Sequence, residues 1–227
     1  ESKMPGVNHV QVTPKTNLTF ASGLRARVRQ DPDIILVGEI RDGETADISV
    51  NAALTGHLVF STLHSNDAAT AIPRLLEMGV EPFLLASTLE VIIGQRLVRR
   101  VCPRCRHSVS ITGADAQKLF AGAEKIFADR ETVTLYRGKG CEACAGTGYR
   151  GRVGIYELLP VTPDIEDLIV AHVASSVINE KAHAAGMKLM FEAGLDKVLP
   201  GITTIEELLR VAAPPAITLA PRGSPAK

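Results

Sequence analysis

Residues 31 to 42 read Asp31-Pro-Asp-Ile-Ile-Leu-Val-Gly-Glu-Ile-Arg-Asp42, four aliphatic residues delivering a glycine and then a carboxylate beside a guanidinium. Ile34 to Val37 show no alternation of apolar and polar residues, which predicts a strand buried on both faces of a parallel sheet. Asp31-Pro32 stops whatever precedes it, because a residue before proline is pushed out of the α region. Upstream, Thr19 to Gln30 places Phe20, Leu24 and Val28 at helical spacing, with Arg25, Arg27 and Arg29 on other faces. Downstream, Gly43 to Leu54 reads as a helix closed by Gly56, and Leu58-Val-Phe60 as another short strand. Strand, helix, strand is a βαβ unit, and such sheets bind ligands at the carboxyl ends of their strands. Glu39 falls at that end. On this segment alone two readings stand, a ligand-directed acid and a solvated acid paired with Arg41.

The composition is that of an ordinary globular chain, with 227 residues, 45% of them hydrophobic. Lys+Arg and Asp+Glu number 25 each, so net charge points to no nucleic acid or acidic substrate, and any basic function must be local. No apolar run approaches the roughly 18 residues needed to span a bilayer. Residue 1 is Glu, and the chain enters strand-like text at once (His9 to Val12), which creates the expectation of further sequence upstream. Asp67 is expected to cap a helix towards Met78, with Pro73 forcing a kink or a later start. A longer helix is expected from Pro82 to about Arg100. Thr162-Pro163 opens one further helix, and Thr204 with Glu207 forms a capping box for another, ending near Ala212. The Pro-rich stretch from Pro214 to Lys227 is expected to be a disordered tail.

Four cysteines form two pairs, Cys102-Pro-Arg-Cys105 and Cys141-Glu-Ala-Cys144. This spacing lets two knuckles complete a closed four-thiolate shell around one zinc ion, a structural role because no coordination position stays open. Disulfides or free thiols are the alternative. Gly146-x-Gly148-x-x-Gly151 matches a dinucleotide-binding string, but it follows a metal knuckle and not a strand, so tight turning after the knuckle explains it better. Arg96, Arg99, Arg100, Arg104 and Arg106 crowd the first knuckle. They support a second functional class, a zinc-stabilised nucleic-acid or protein-binding module, although aromatic residues make up only 4% of the chain.

The segments RQDPDIILVGEIRDGETADISVNAALTGHLVFSTLHSNDA, GQRLVRRVCPRCR and CEACAGTGYRGRVGIYELL together resemble the hexameric secretion ATPases, the motors of type II secretion and type IV pilus assembly. The resemblance implies an α/β fold: the C-terminal part of a RecA-like P-loop ATPase core over residues 1–100, a tetracysteine zinc subdomain over 101–154, a C-terminal helical region over 155–212, and the tail over 213–227. It puts Glu39 in the family's Walker B position, preceded by Gly38 and followed by Arg41 and Asp42, where an acid helps to hold Mg²⁺ beside ATP and to polarise water. It makes Gly56 to His64 the His box, with His64 close to the terminal phosphate; Ser65 stands where threonine is usual. Arg25 and Arg29 match arginines that meet phosphate or a neighbouring subunit, and Glu1 matches the last acid of the family's Asp box. The resemblance further implies a homo-hexamer on the cytoplasmic face of the bacterial inner membrane, working with an inner-membrane platform protein and no specific nucleic acid. No G-x-x-x-x-G-K-[ST] loop occurs in these residues, so the chain alone is expected to be inactive.

Overall fold

The structure, a computed structural model, describes residues 5–12, 18–120, 127 and 131–214. Glu1 and the tail beyond residue 214 lie outside them. The described residues form two compact units, one built from residues up to 92 with 160–181, the other from 93–159 with the chain from 182 onward.

In the first unit, α1 (Phe20–Val28) starts at Thr19, whose hydroxyl accepts the Ser22 N–H. It ends before Asp31, which turns the chain at φ 51°. β1 (Ile34–Val37) follows, then α2 (Gly43–Leu54), whose N-terminus is capped by Asp42 accepting the Thr45 N–H at 2.8 Å. Thr55 and the left-handed Gly56 (φ 96°) close it and feed β2 (Leu58–Ser61). β1 and β2 pair in parallel, Ile34 against Leu58 through Val37 against Ser61. Ile35, Val37, Leu24 and Ala52 form the core on one side, with α1 and α2 as its cover. The other face differs from the expectation of burial on both sides: Ile34 is 62% and Leu36 71% exposed, because no described element covers that side of the sheet. α3 (Ala71–Glu77) starts after a turn at Asp67 to Thr70, so Pro73 falls in its first turn, where no helical hydrogen bond is lost. α4 (Pro82–Thr88) packs against α6 (Pro163–Val170), and both begin with proline in the first turn.

The helix expected from Pro82 to Arg100 is corrected. It stops at Thr88, and Val91–Val101 is a strand, β3. Three β-branched residues, Val91, Ile92 and Ile93, resist a helix, and burial alternates along the strand, which is the signature of period two. β3 pairs with β6 (Tyr149–Pro160). His9 to Val12, read as a short strand, has no regular structure.

The second unit adds an antiparallel ribbon of β4 (Arg106–Thr112) and β5 (Thr132–Gly138), with α5 (Gly113–Leu119) between them in the chain. After α7 (Ser175–Ala184) come α8 (Met190–Val198) and α9 (Ile205–Val211). Val98, Phe127, Leu135, Ile155, Phe191 and Leu208 are among the residues of one core that joins ribbon, strands and helices. The buried Glu157 on β6 accepts the Met190 N–H at 2.9 Å, placing a carboxylate at the positive end of α8.

Thr204 caps α9 as expected, accepting the Glu207 N–H, but Glu207 does not return to the cap. Its side chain, 2% exposed, instead accepts from the Arg99 N–H at 2.9 Å and from the Arg99 guanidinium at 2.6 Å, and it also binds Arg210. Burial pushes its carboxyl upward, but Arg99 and Arg210 outweigh that and hold it at about 2. A carboxyl depressed from an unfolded value near 4.5 stabilises the fold above that pH, and the stabilisation disappears as pH falls towards 2. Acid titration of unfolding should therefore show an acid-side loss that Glu207→Gln removes. Glu207→Ala should cost about 2–3 kcal/mol at neutral pH, since both arginines it leaves can still reach water.

Candidate functional site

Two constellations stand out, one in each unit. The first lies at the carboxyl ends of β1 and β2. Parallel pairing brings the two exits side by side, and hydroxyls fix them: Ser61 Oγ donates to Val37 O at 3.1 Å and Thr62 Oγ1 to Gly38 O at 2.7 Å. Ile40 N donates to Thr62 O at 2.9 Å, so the segment holding Glu39 is tied to the segment leading into His64. Glu39 Oε1 is bonded by the Arg41 guanidinium, and its Oε2 lies 3.5 Å from His64 Nε2. The Glu39 side chain is 15% exposed and that of His64 89%. The hydrogen bond from Arg41 is the main reason that the Glu39 carboxyl sits below its usual range, and the His64 ring adds to it.

Beyond His64 the chain is braced by short bonds, Ser65 Oγ to Asp67 O at 3.0 Å and Thr70 N to Asp67 Oδ1 at 2.8 Å. A cleft of about 410 Å³ opens beside it, lined by His64, Asn66, Thr70, Arg74 and Glu77. Glu39 could meet a divalent cation, directly or through water, at Oε2, and at Oε1 if Arg41 withdrew. The Arg41 guanidinium, 68% exposed along its side chain, supplies the positive charge that such a cation would bring.

The remaining sequence candidates are placed elsewhere. Arg25 pairs with Glu44 on α2 at 2.8 Å. Arg29 follows the end of α1 as its C-cap residue. Asp42 is used as the α2 cap, and Glu1 lies outside the described residues. His57 spends Nδ1 on Ala52 O (2.9 Å) and Thr55 Oγ1 (3.1 Å), a local closing bond of α2. Thr62 was missed by sequence reasoning; a hydroxyl one residue past a short strand was the signal.

The second constellation is the cysteine cluster. The four Sγ atoms lie within 4.8 Å of one another. Cys102–Cys141 and Cys105–Cys144 are 3.9 Å apart, and Cys141–Cys144 3.7 Å. Four thiolates at 2.3 Å from a tetrahedral ion stand about 3.8 Å from each other, so the donor set fits zinc. Such separations also exclude disulfides, and all four thiols are free. Burial pushes Cys105 up to about 11. Burial acts the same way on Cys144, but the Cys141 and Gly148 N–H groups donate to its sulfur and bring it down to about 6. The glycine string now has a steric account. A Cβ on Gly148 would stand 2.7 Å from Gly138 O, and one on Gly140 2.6 Å from Gly146 O, so backbone packs directly on backbone around the second knuckle. The basic cluster is divided: Arg99 stacks on Tyr149 and Arg106 on Tyr136, at 4.2 and 4.0 Å from the ring centroids.

Comparison with known proteins now decides the family. The sequence profile described as "Type II/IV secretion system protein" matches residues 1–210. The chain belongs to that family. Among its relatives, a type IV pilus assembly ATPase, PilB, from Thermus thermophilus is 53% identical over 92% of this chain. The type II secretion system protein E of Dickeya dadantii is 48% identical over 93%. The chain spans 23% and 41% of the length of these two relatives. Among solved structures, that of the pilus retraction motor PilT with bound ADP superposes with a TM-score of 0.57 at 27% identity, covering 86% of this chain and 43% of that one. The ATPase DotB of Legionella pneumophila, 23% identical with a TM-score of 0.56, shares the fold. The architecture of this secretion-family chain is thus RecA-like α/β, with a tetracysteine cluster and helices after it. None of the helices among its described residues is long and apolar enough to cross a membrane.

The cluster is wired into the rest of its unit. Val101 N donates to Ile202 O at 2.9 Å, and the Arg106 guanidinium to Pro200 O at 2.8 Å. Zinc analysis should return one equivalent per chain. Chelation should raise hydrogen exchange within residues 102–154 and also at 199–204; protection unchanged at the second segment would contradict this wiring.

Proposed function

We propose that this chain is the catalytic-acid portion of an ATP-hydrolysing motor that drives type II secretion or type IV pilus assembly. The observation that carries the reading is the convergence of Glu39 and His64 at the carboxyl ends of two parallel strands, beside an open polar cleft. The reaction is phosphoryl transfer from ATP to water, in which negative charge on the phosphoryl oxygens must be met and an attacking water oriented. Glu39, ionised and nearly buried, would accept hydrogen bonds from that water or from waters around Mg²⁺, and Arg41, now on Oε1, would have to share or yield that oxygen. His64, almost fully exposed, donates from its ring to a terminal phosphate oxygen while its contact with Glu39 orients it. Mg²⁺, which Glu39 would help to hold, would supply positive charge against the phosphate oxygens. Gly38 and Thr62 keep the two exits in register. Arg25 and Arg29 lie on the arginine-bearing face that would meet phosphate or a neighbouring subunit, as Glu1 would in the Asp box.

The phosphate-gripping loop is absent from these residues, so the site needs a G-x-x-x-x-G-K-[ST] segment to be complete. The assembly we propose is a homo-hexamer at the cytoplasmic face of the inner membrane, with platform and cytoplasmic components of the machinery as partners. Zinc held by Cys102, Cys105, Cys141 and Cys144 is structural in this reading, since four thiolates leave no position for substrate. The nucleic-acid alternative is weakened because Arg99 and Arg106 already occupy faces of Tyr149 and Tyr136.

The test is phosphate release by the protein extended through the missing loop. Glu39→Gln should lower kcat by about 10²-fold or more with nucleotide binding retained. The 227-residue chain alone should show no steady Mg²⁺-dependent turnover, and finding it would sink the half-site reading.

A further inference from the structure

Of the described arginines of the second unit, Arg96 has a partner within the fold and the others divide into two groups. Arg99 and Arg210 are bonded to Glu207, Arg137 to Glu206, and Arg106 to the Pro200 carbonyl. Arg100, Arg104, Arg150 and Arg152 are exposed, and none has a hydrogen bond or ion pair with a described residue. All four belong to the knuckles or their borders: Arg100 precedes Cys102, Arg104 sits between Cys102 and Cys105, and Arg150 and Arg152 follow Cys144 along β6. Glu142, in the second knuckle, pairs with none of them.

Strand pairing brings them together. Val161 N donates to Glu90 O at one end of the β3–β6 ribbon and Cys102 N to Gly148 O at the other, both at 2.9 Å, so the strands run antiparallel. That ladder sets Arg100 opposite the Arg150–Gly151 step. Like charges across a ladder are unfavourable. In a chain whose formal charge is zero, this rim concentrates positive charge that its own fold does not neutralise.

We propose that the rim formed by Arg100, Arg104, Arg150 and Arg152 is a docking surface for an acidic protein segment presenting spaced Asp and Glu side chains. Guanidinium groups match carboxylates as two-pronged donors, and four of them on a scaffold fixed by the cysteine cluster offer such pairs with little ordering cost. Single-stranded nucleic acid fits less well, because it needs free aromatic faces, and Arg99 and Arg106 cover faces of the nearby tyrosines. A membrane fits less well too. Val98, Val101 and Ile155 are buried, and the exposed apolar residues of the ribbon, Ile93, Leu97, Tyr156 and Leu158, lie further from the knuckles.

The experiment is fluorescence anisotropy of labelled poly-glutamate with the zinc-loaded chain, beside poly-glutamine, random single-stranded DNA and phosphatidylglycerol vesicles. Poly-glutamate should bind saturably and more tightly than the other three, and the affinity should fall with salt. Arg150→Glu with Arg152→Glu should weaken it by about tenfold or more, and Arg104→Glu should weaken it independently. Lys118→Glu, on α5, should change it by less than about twofold. Zinc content and melting temperature check that each variant is folded. Tighter binding to DNA or vesicles, or a poly-glutamate affinity that folded variants leave unchanged, would overturn the proposal.

Discussion

The parallel register of β1 and β2 is the constraint on which the Glu39–His64 site depends. With Val37 opposite Ser61, the chain leaves both strands at the same level, so an acid two residues beyond one and an imidazole three beyond the other emerge as neighbours. A register slip of one residue would send Ile35 and Val37 to the exposed face and part Glu39 from His64. The hydroxyls of Ser61 and Thr62 guard against that slip by bonding the carbonyls of Val37 and Gly38. The acid is satisfied by Arg41, two residues along the chain, an arrangement that keeps it ionised and hydrogen-bonded.

The second unit answers a different need. Among its described residues the constellation is a thiol cluster. The thiols draw two knuckles far apart in sequence to tetrahedral separations, and glycines around them let backbone lie on backbone. A short distance along β3, Arg99 reaches into the buried carboxylate of Glu207 and ties the strand to α9. Thiol cluster and ion pair thus lie three residues apart on one stretch of chain, tying the knuckles and α9 to the same end of β3.

Much of this was legible in sequence for local reasons. Ile34 to Val37, an unbroken aliphatic run ended by Gly38, are the whole of β1, and Gly56 marked the end of α2; the Asp42 cap at its start was not read. Two-residue cysteine spacing announced the cluster. The misses were matters of context. β3 was read as helix because Pro82 starts one, and the β-branched run with alternating burial begins only three residues after α4 ends at Thr88. The exposed face of β1 could not be read from an apolar run, which looks the same whether one face or both are covered. Glu207 looked like half of a capping box, but its partner Arg99 lies 108 residues away, beyond any local pattern. Family resemblance put Glu39 and His64 at one nucleotide site, but their contact came only from the structure, since nothing in their spacing brings them together.

The central claim is that Glu39 and His64 act as one unit on the same phosphate end. A double-mutant cycle on ATP hydrolysis, in the protein extended through its phosphate-binding loop, tests it most directly: Glu39→Gln, His64→Ala and the pair together. The account predicts strong non-additivity, the double variant being little slower than Glu39→Gln alone. Losses in kcat that multiply independently would show that the two groups serve separate ends, and would contradict it.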